Sequence, residues 1–235
     1  MIDKTAVILA GGKGTRLYPY TVALPKPLVP VGDKPILEMM IIRLAYQGFK
    51  RIIITVNHQA DIIMAYFGNG DKWNVSIEYS LENKPLGTMG PLKLIKELPE
   101  HFLVMNGDVL TDLDFSDFLD MHISSGNLFT ISSHKREQKA DYGILDVDNG
   151  ILCGFQEKPT SWYNVSMGVY AVSRGVVVII PDDQFFGFDG LMDLMLSKKM
   201  NVGVIEHKGY WMDIGRPDDY ARATEDVENE RFTVI

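Results

Sequence analysis

Residues 5–17 read Thr-Ala-Val-Ile-Leu-Ala-Gly-Gly-Lys-Gly-Thr-Arg-Leu. The first six form a short apolar run, which predicts a strand buried on both faces. Gly11, Gly12 and Gly14 follow at once. A glycine-rich turn after a buried strand lets backbone N–H groups approach phosphate oxygens closely. The turn is not a dinucleotide fingerprint, because Leu17 stands where the third glycine belongs. Nor is it a P-loop, since no Gly-Lys-Ser/Thr closes it. A plain structural turn needs no cation, whereas this one carries Arg16. Ten residues later Lys26 sits between Pro25 and Pro27, and prolines stiffen that loop. Taken alone, Lys26 reads as a solvated surface lysine.

Outward from this stretch, residues 51–56, 102–105 and 129–132 are further strand-like apolar runs. Residues 36–47, 60–67 and 90–97 show helical spacing. Continuous apolar strands joined by helices predict an α/β fold, with a mainly parallel sheet covered on both faces. Right-handed crossovers then gather the loops after the strands along one edge, where such sheets bind ligands. In the second half, residues 143–147 and 151–156 flank Asn149-Gly150, a hairpin signal. Residues 170–172 and 202–205 read as strands, and 190–198 as a helix. A last helix opens at Arg216-Pro217, with acids in its first turn. No repeat or linker divides the chain. One domain over 1–235 is expected, its two halves being about 1–110 and about 111–235.

The chain has 235 residues, 46% hydrophobic and 23% charged, which excludes a disordered polymer. Its net charge of −8 argues against nucleic acid or an anionic membrane as partner. A small polyanion is still admissible, because a phosphate site needs only a few local cations. Cys153 is the sole cysteine, so no internal disulfide forms and a reducing compartment fits. Position within a β-rich run predicts that it is buried. No apolar run reaches the ~18 residues of a spanning helix. Met1–Thr5 lacks the layout of a signal peptide, so a cytoplasmic location is expected. The five histidines, His58 among them, show no metal-binding spacing.

The spaced elements Gly-Gly-x-Gly-Thr-Arg-Leu, Pro19-x-Thr21 and Pro25-Lys26-Pro27 together resemble the signature of the sugar-1-phosphate nucleotidyltransferases. The resemblance runs through nearly the whole chain. Gly32–Leu37 matches the family's next block. Residues 85–90, Pro-Leu-Gly-Thr-Met-Gly, resemble its nucleobase segment. Asn106-Gly107-Asp108 resembles one metal block, and Trp211–Gly215 the other. Glu157-Lys158-Pro159 resembles the sugar block. The long C-terminal β-helix of some members has no room in 235 residues. The resemblance implies a Rossmann-like three-layer sandwich with a mainly parallel mixed sheet, acting as a catalytic domain.

It implies the following roles. A sugar-1-phosphate oxygen attacks the α-phosphorus of a nucleoside triphosphate and pyrophosphate leaves. Arg16 holds the outer phosphates, and Lys26 the reacting ones. Asp108 and Asp213 hold Mg²⁺, a hard cation suited to carboxylates and phosphates. By themselves these aspartates read equally well as turn or cap residues; Asp112 and Asp114 read as surface or cap acids. Leu9, Ala10, Gly11, Gly12, Gly14 and Thr15 line the nucleotide, with Pro85, Gly87, Thr88, Asn106 and Gly107. Glu82 could accept two N–H donors from a guanine edge, or be an exposed strand-end acid. Tyr142, Gly143, Glu157 and Lys158 meet the sugar phosphate. The family often has Asn-Ala-Gly where this chain has Ser166-Met167-Gly168, so Ser166 replaces a sugar-binding asparagine and Asn164 stands nearby. Wording around residues 85–92 leans toward guanylyltransferases of mannose or heptose type serving surface polysaccharide. Cytidylyl, uridylyl and thymidylyl transfer remain alternatives, as does a catalytically silent sugar-nucleotide-binding module. A homo-oligomer is compatible with the sequence, and Trp162-Tyr163 fits a sugar-pocket rim or a subunit contact.

Overall fold

Strand β1 (Lys4–Leu9) lies inside a seven-stranded sheet in the computed structural model, which describes residues 4–57 and 59–235. Met1–Asp3 and His58, on which the leader and metal-spacing readings partly rest, fall outside the described residues. Across the sheet the order is β12 (Val202–Glu206), β8 (Phe129–Lys139), β11 (Thr160–Ser173), β6 (His101–Asn106), β1, β4 (Phe49–Val56) and β5 (Ser76–Leu81). β1 pairs parallel with β4 and β6, β4 with β5, and β8 with β12. Only β11 runs antiparallel, to β6 and β8. The sheet is therefore mixed and mainly parallel, and it draws strands from both halves of the chain.

Side-chain alternation divides the core into two layers. Ala6, Ile8, Ile52, Ile54, Leu103 and Met105 point to one face. There they meet α1 (Ile36–Tyr46), α2 (Ala60–Phe67), α3 (Phe115–Ser125) and Ala223 of α6 (Pro217–Glu228). Val7, Ile53, Phe102 and Val104 point to the other, against Val176 of α4 (Gly175–Val178), and Leu191 and Met195 of α5 (Phe188–Ser197). The result is a helix–sheet–helix sandwich. Among the described residues no helix is long and apolar enough to cross a membrane.

Short pairs complete the fold. β2 (Pro30–Val31) pairs with β3 (Lys34–Pro35), and β7 (Val109–Thr111) with β13 (Trp211–Asp213). β9 (Ile144–Asp148) and β10 (Ile151–Gln156) form the expected hairpin. Its turn residues Asn149 and Gly150 both have positive φ, 48° and 81°, as a type I′ turn demands.

Three expectations are corrected. Residues 90–97 are not an α-helix: only Gly90–Leu94 coils, as a 3₁₀ turn with Pro91 near its start. Its geometry is set from outside, since Phe186 O accepts from both Met89 N and Gly90 N at 3.0 Å. Cys153 is exposed rather than buried, lying where the hairpin register shifts between Leu152 and Gly154. The strand read at 129–132 continues to Lys139, because β11 pairs with it far beyond the core.

His122 is fully buried on α3, with Nδ1 2.8 Å from Thr130 Oγ1 and Nε2 3.2 Å from Ser173 Oγ. Burial, aided by His101, lowers its pKa to about 4. The unfolded chain therefore takes up this proton first, near the ordinary value of 6.5. The stabilisation is complete above that value and is lost as pH falls toward 4, amounting to about 3 kcal/mol. Denaturant unfolding at pH 7 and 4.5 should show this slope, reduced in His122→Gln. An identical slope in that variant would assign the effect to other groups.

Candidate active site

β1, β4 and β6 end on the same edge, because Leu9 pairs with both Thr55 and Asn106. The segments that leave these strands therefore converge. Gly107 N donates to Leu9 O at 3.0 Å, and Ala10 N to Thr55 O at 3.0 Å, locking the loop bases together. Between them lies a cavity of about 220 Å³, open to solvent. Leu9, Ala10, Gly12, Gly14, Thr15, Arg16, Lys26, Pro27, Gly107, Asp108 and Gly215 line it.

The glycine turn and the Pro-Lys-Pro loop are packed together. Gly14 has φ +63°, a left-handed conformation that disfavours a side chain. A Cβ there would also lie 2.8 Å from Lys26 Cβ and 3.0 Å from Thr21 Cγ2. Thr21 Oγ1 donates to Gly14 O at 2.9 Å, tying the intervening loop down. Lys26 is thus not the solvated lysine it resembles in isolation: its side chain is 12% exposed and its Nζ is paired with Asp108 Oδ2.

Asp108 and Asp213 meet through the β7–β13 pair. Val109 lies opposite Asp213, and Ile214 N donates to Asp108 O at 3.0 Å. Burial first, and then the Asp108 carboxylate, raise the Asp213 pKa above its ordinary value, against the pull of Lys26 and Arg16. Asp108 Oδ1 is buried and has no hydrogen-bond partner among the described residues. Arg16 reaches the same place: a Cβ on Gly215 would sit 3.4 Å from Asp213 Oδ2 and 3.7 Å from Arg16 Nη2. Arg16, Lys26 and Asp108 therefore line one pocket, and Asp213 lies beside its Gly215 wall, so two cations and two carboxylates from four separate segments converge. Asp112 and Asp114 stand apart from it. Asp112 pairs with His207 Nε2 at 2.6 Å, and Asp114 caps α3 by accepting from Asp117 N at 2.8 Å.

At the other end of the loop, Glu82 is 7% exposed and not a surface acid. Its Oε2 accepts from Leu86 N at 3.3 Å, and a Cβ on Gly11 would lie 2.5 Å from its Oε1. Burial raises its pKa, with the Leu86 N–H opposing. Asn57, unremarkable in the sequence, donates from Nδ2 to Glu82 O at 3.1 Å. Gly87 and Thr88 lie beneath residues 186–188, and Thr88 Oγ1 already accepts from Phe188 N at 2.8 Å. Pro85 is exposed beside them.

Tyr142, Gly143, Glu157 and Lys158 sit together at the base of the β9–β10 hairpin. A Cβ on Gly143 would meet Glu157 Oε2 at 3.2 Å and the Phe155 ring at 2.6 Å. None of the four lines the cavity around Asp108. Asn164, Ser166 and Trp162 share one face of β11, pairing with Lys135, Ser133 and Glu137. Trp162 is exposed, with Lys135 Nζ 5.8 Å from its ring centre. Gly168 packs against Asn106.

Residues 5–230 match the Nucleotidyl transferase family. This chain belongs to that family. A mannose-1-phosphate guanyltransferase from Yarrowia lipolytica is 34% identical over 93% of the chain. A UTP–glucose-1-phosphate uridylyltransferase from Synechocystis is 33% identical over 94%. The chain spans 62% and 63% of the length of these two relatives. Among solved structures, HddC from Yersinia pseudotuberculosis complexed with GMP-PN superposes with TM-score 0.75 at 30% identity, covering 95% of this chain and 99% of that one. A putative glucose-1-phosphate thymidylyltransferase from Bacillus anthracis has the same TM-score at 22% identity, covering 98% and 97%, a likeness of fold. Family membership thus agrees with the mainly parallel mixed sheet flanked by helices.

Proposed function

We propose that this nucleotidyl transferase family member moves a nucleotidyl group from a nucleoside triphosphate to a sugar 1-phosphate. The observation that carries the reading is the convergence of Arg16, Lys26 and Asp108, which line one pocket beside the glycine turn, with Asp213 next to it. A phosphate oxygen of the sugar phosphate attacks the α-phosphorus, forming a new P–O bond. The bond from the α-phosphorus to the bridging oxygen breaks, and pyrophosphate leaves with its electron pair. The nucleophile is already an anion, so no general base is needed. What the protein supplies is alignment of two polyanions and compensation of their charge. Backbone N–H groups of residues 11–15 and the Arg16 guanidinium receive the triphosphate. Lys26 leaves its carboxylate partner for the reacting phosphates.

The donor set suits a hard divalent cation: two carboxylates, one with a buried oxygen that no group among the described residues satisfies. Magnesium bound there would supply positive charge to both reacting phosphates. For the sugar side, Tyr142, Glu157 and Lys158 are assigned to the sugar phosphate, with Asn164 and Ser166 nearer the sheet. We place the reaction in the cytoplasm, as the single exposed thiol allows, and assign its product to polysaccharide synthesis.

Guanine is the favoured base. Glu82 has one oxygen engaged by Leu86 and lies against Gly11, and an ionised carboxylate can accept both N–H groups of a guanine edge. The relatives named for guanylyl transfer and the GMP-PN complex of HddC support the choice. Glu82→Gln replaces an acceptor with a donor. It should lower kcat/KM for GTP at least about 100-fold while improving dTTP or UTP. An unchanged GTP preference would remove Glu82 from base recognition. The function itself is tested by pyrophosphate release from ATP, CTP, GTP, UTP and dTTP against a panel of sugar 1-phosphates. The expected result is one dominant pair containing GTP. No release from any pair would refute nucleotidyl transfer and favour a silent binding module.

A further inference from the structure

Every residue of β9 is exposed, and in β10 only Gly154 is partly covered. A lone two-stranded hairpin is marginally stable in water. This one nevertheless carries an apolar face. Val147 lies opposite Leu152, and Leu145 opposite Phe155, and residues directly opposite each other share a face. All four side chains are 57–60% exposed, and none belongs to either core layer. Leu152 and Phe155 are three residues apart, so strict alternation would put them on opposite sides. The register shift between Leu152 and Gly154 brings them to the same side. The irregularity at Cys153 therefore completes an apolar face that the chain itself leaves open.

The hairpin continues a second ribbon. Residues 135–139 of β8 pair with 160–164 of β11, and Ala140 N donates to Pro159 O at 3.0 Å where the two ribbons join. Their charges are opposite. Lys135, Arg136 and Lys139 outnumber Glu137 on the arm, whereas Asp141, Asp146 and Asp148 meet no Lys or Arg between residues 141 and 156. Among the described residues, none of these arm cations or hairpin acids forms an ion pair. Tyr163 lies opposite Arg136 on the arm and both are exposed, a residue pair of the kind enriched at protein interfaces.

An occupant of this surface must be apolar where it meets the hairpin face, and must bring both a basic and an acidic flank. A second copy of the chain brings all three. Two chains of net charge −8 repel each other at long range, so any contact between them needs local complementarity. With two copies related by a two-fold axis, the acidic hairpin of each meets the basic arm of the other, and the contact closes on itself. The area fits as well. Four large apolar side chains, each more than half exposed, reach the ~300–600 Å² scale at which patches on monomers mark contacts. A stable dimer buries about 800 Å² per partner, and the arm supplies the remainder.

We propose that the apolar face of the β9–β10 hairpin joins two copies of this chain in a two-fold dimer, each hairpin lying against the outer β8–β11 arm of the other copy. Burial of Leu145, Val147, Leu152 and Phe155 supplies the affinity. The arm cations and hairpin acids set the register and exclude a parallel arrangement, which would put like charges together. The contact holds whatever reaction the pocket carries out, so loss of the dimer and loss of nucleotidyl transfer are separate results.

Sedimentation equilibrium over a range of concentrations tests it. The wild type should fit a monomer–dimer equilibrium. Leu152→Glu places a charge in the centre of the face and should raise the dissociation constant at least about tenfold. Two charge-reversed chains supply a test that does not rest on that variant: Lys135→Glu with Arg136→Glu and Lys139→Glu on the arm, and Asp141→Lys with Asp146→Lys and Asp148→Lys on the hairpin. Each alone sets like charges against like and should stay monomeric. Mixed in equal amounts, they restore both complementary contacts and should form a one-to-one dimer that weakens with added salt. A wild type that is monomeric at every concentration overturns the proposal, and leaves the face to a different protein or a lipid surface. A dimer unchanged by Leu152→Glu places the interface elsewhere and overturns it equally, as does a mixture of the two reversed chains that stays monomeric.

Discussion

Replacing Asp108 with asparagine should lower kcat at least about 10³-fold, because it removes charge from the point where the phosphates and a divalent cation are proposed to converge. Asparagine has nearly the same shape, and the main-chain bond from Ile214 N to Asp108 O is untouched. The fold should therefore survive. Two losses add up. Asp108 Oδ1, buried without a partner, would be exchanged for an amide that cannot serve as an anionic ligand or, if flipped, presents N–H groups to a cation. Asp108 Oδ2 would no longer hold Lys26. Relief of Asp213 offers an internal check. Asp108 contributes to the raised pKa of Asp213, so Asp213 should titrate lower in the variant. The unfolding midpoint should not fall with the activity. Pyrophosphate release and thermal unfolding measured side by side test both halves. Wild-type turnover would exclude Asp108 as an essential ligand, whereas joint loss of folding and activity would make its role structural.

The second large effect is expected from Lys26→Ala, about 10²- to 10³-fold in kcat with a smaller change in KM. Lys26 is held by Pro25 and Pro27, by the close approach of Gly14 and by Asp108, and its side chain is 12% exposed. A charge fixed in that way acts most strongly when negative charge builds at the α-phosphorus. It acts less on a ground-state triphosphate, which Arg16 and backbone donors are also proposed to hold. Lys26→Arg should not restore the rate, since a planar guanidinium does not fit the space beside Gly14 and Asp108. A loss confined to KM would mean that Lys26 only binds, and a near-normal kcat would remove it from the chemistry.

The parallel core was readable because its strands are continuous apolar runs. Residues 5–10, 51–56 and 102–105 fall on buried β1, β4 and β6. The glycine turn and Lys26 were readable as a spaced pattern, although neither residue reveals the other alone. Nothing local in Asp108 or Asp213 shows that β7 and β13 pair and bring them together. The outer halves of β8 and β11 escaped notice because residues 135–139, Lys-Arg-Glu-Gln-Lys, carry no apolar alternation. Their pairing comes from the partner strand. The same holds for Gly90–Leu94, where contacts with Phe186 override helical spacing. Glu82 was ambiguous for a different reason. Its burial depends on Gly11 and Leu86, which only the folded chain places around it.

The proposed grip of Asp108 and Asp213 on a divalent cation is most directly measured with Mn²⁺ as a spectroscopic substitute for Mg²⁺. Electron paramagnetic resonance can count bound ions on the protein with a non-hydrolysable GTP analogue and the sugar 1-phosphate present. One tightly bound ion per chain is predicted for the wild type, weakened at least about tenfold in either Asp108→Asn or Asp213→Asn. Equal Mn²⁺ affinity in the wild type and both variants would show that these two acids do not hold the ion.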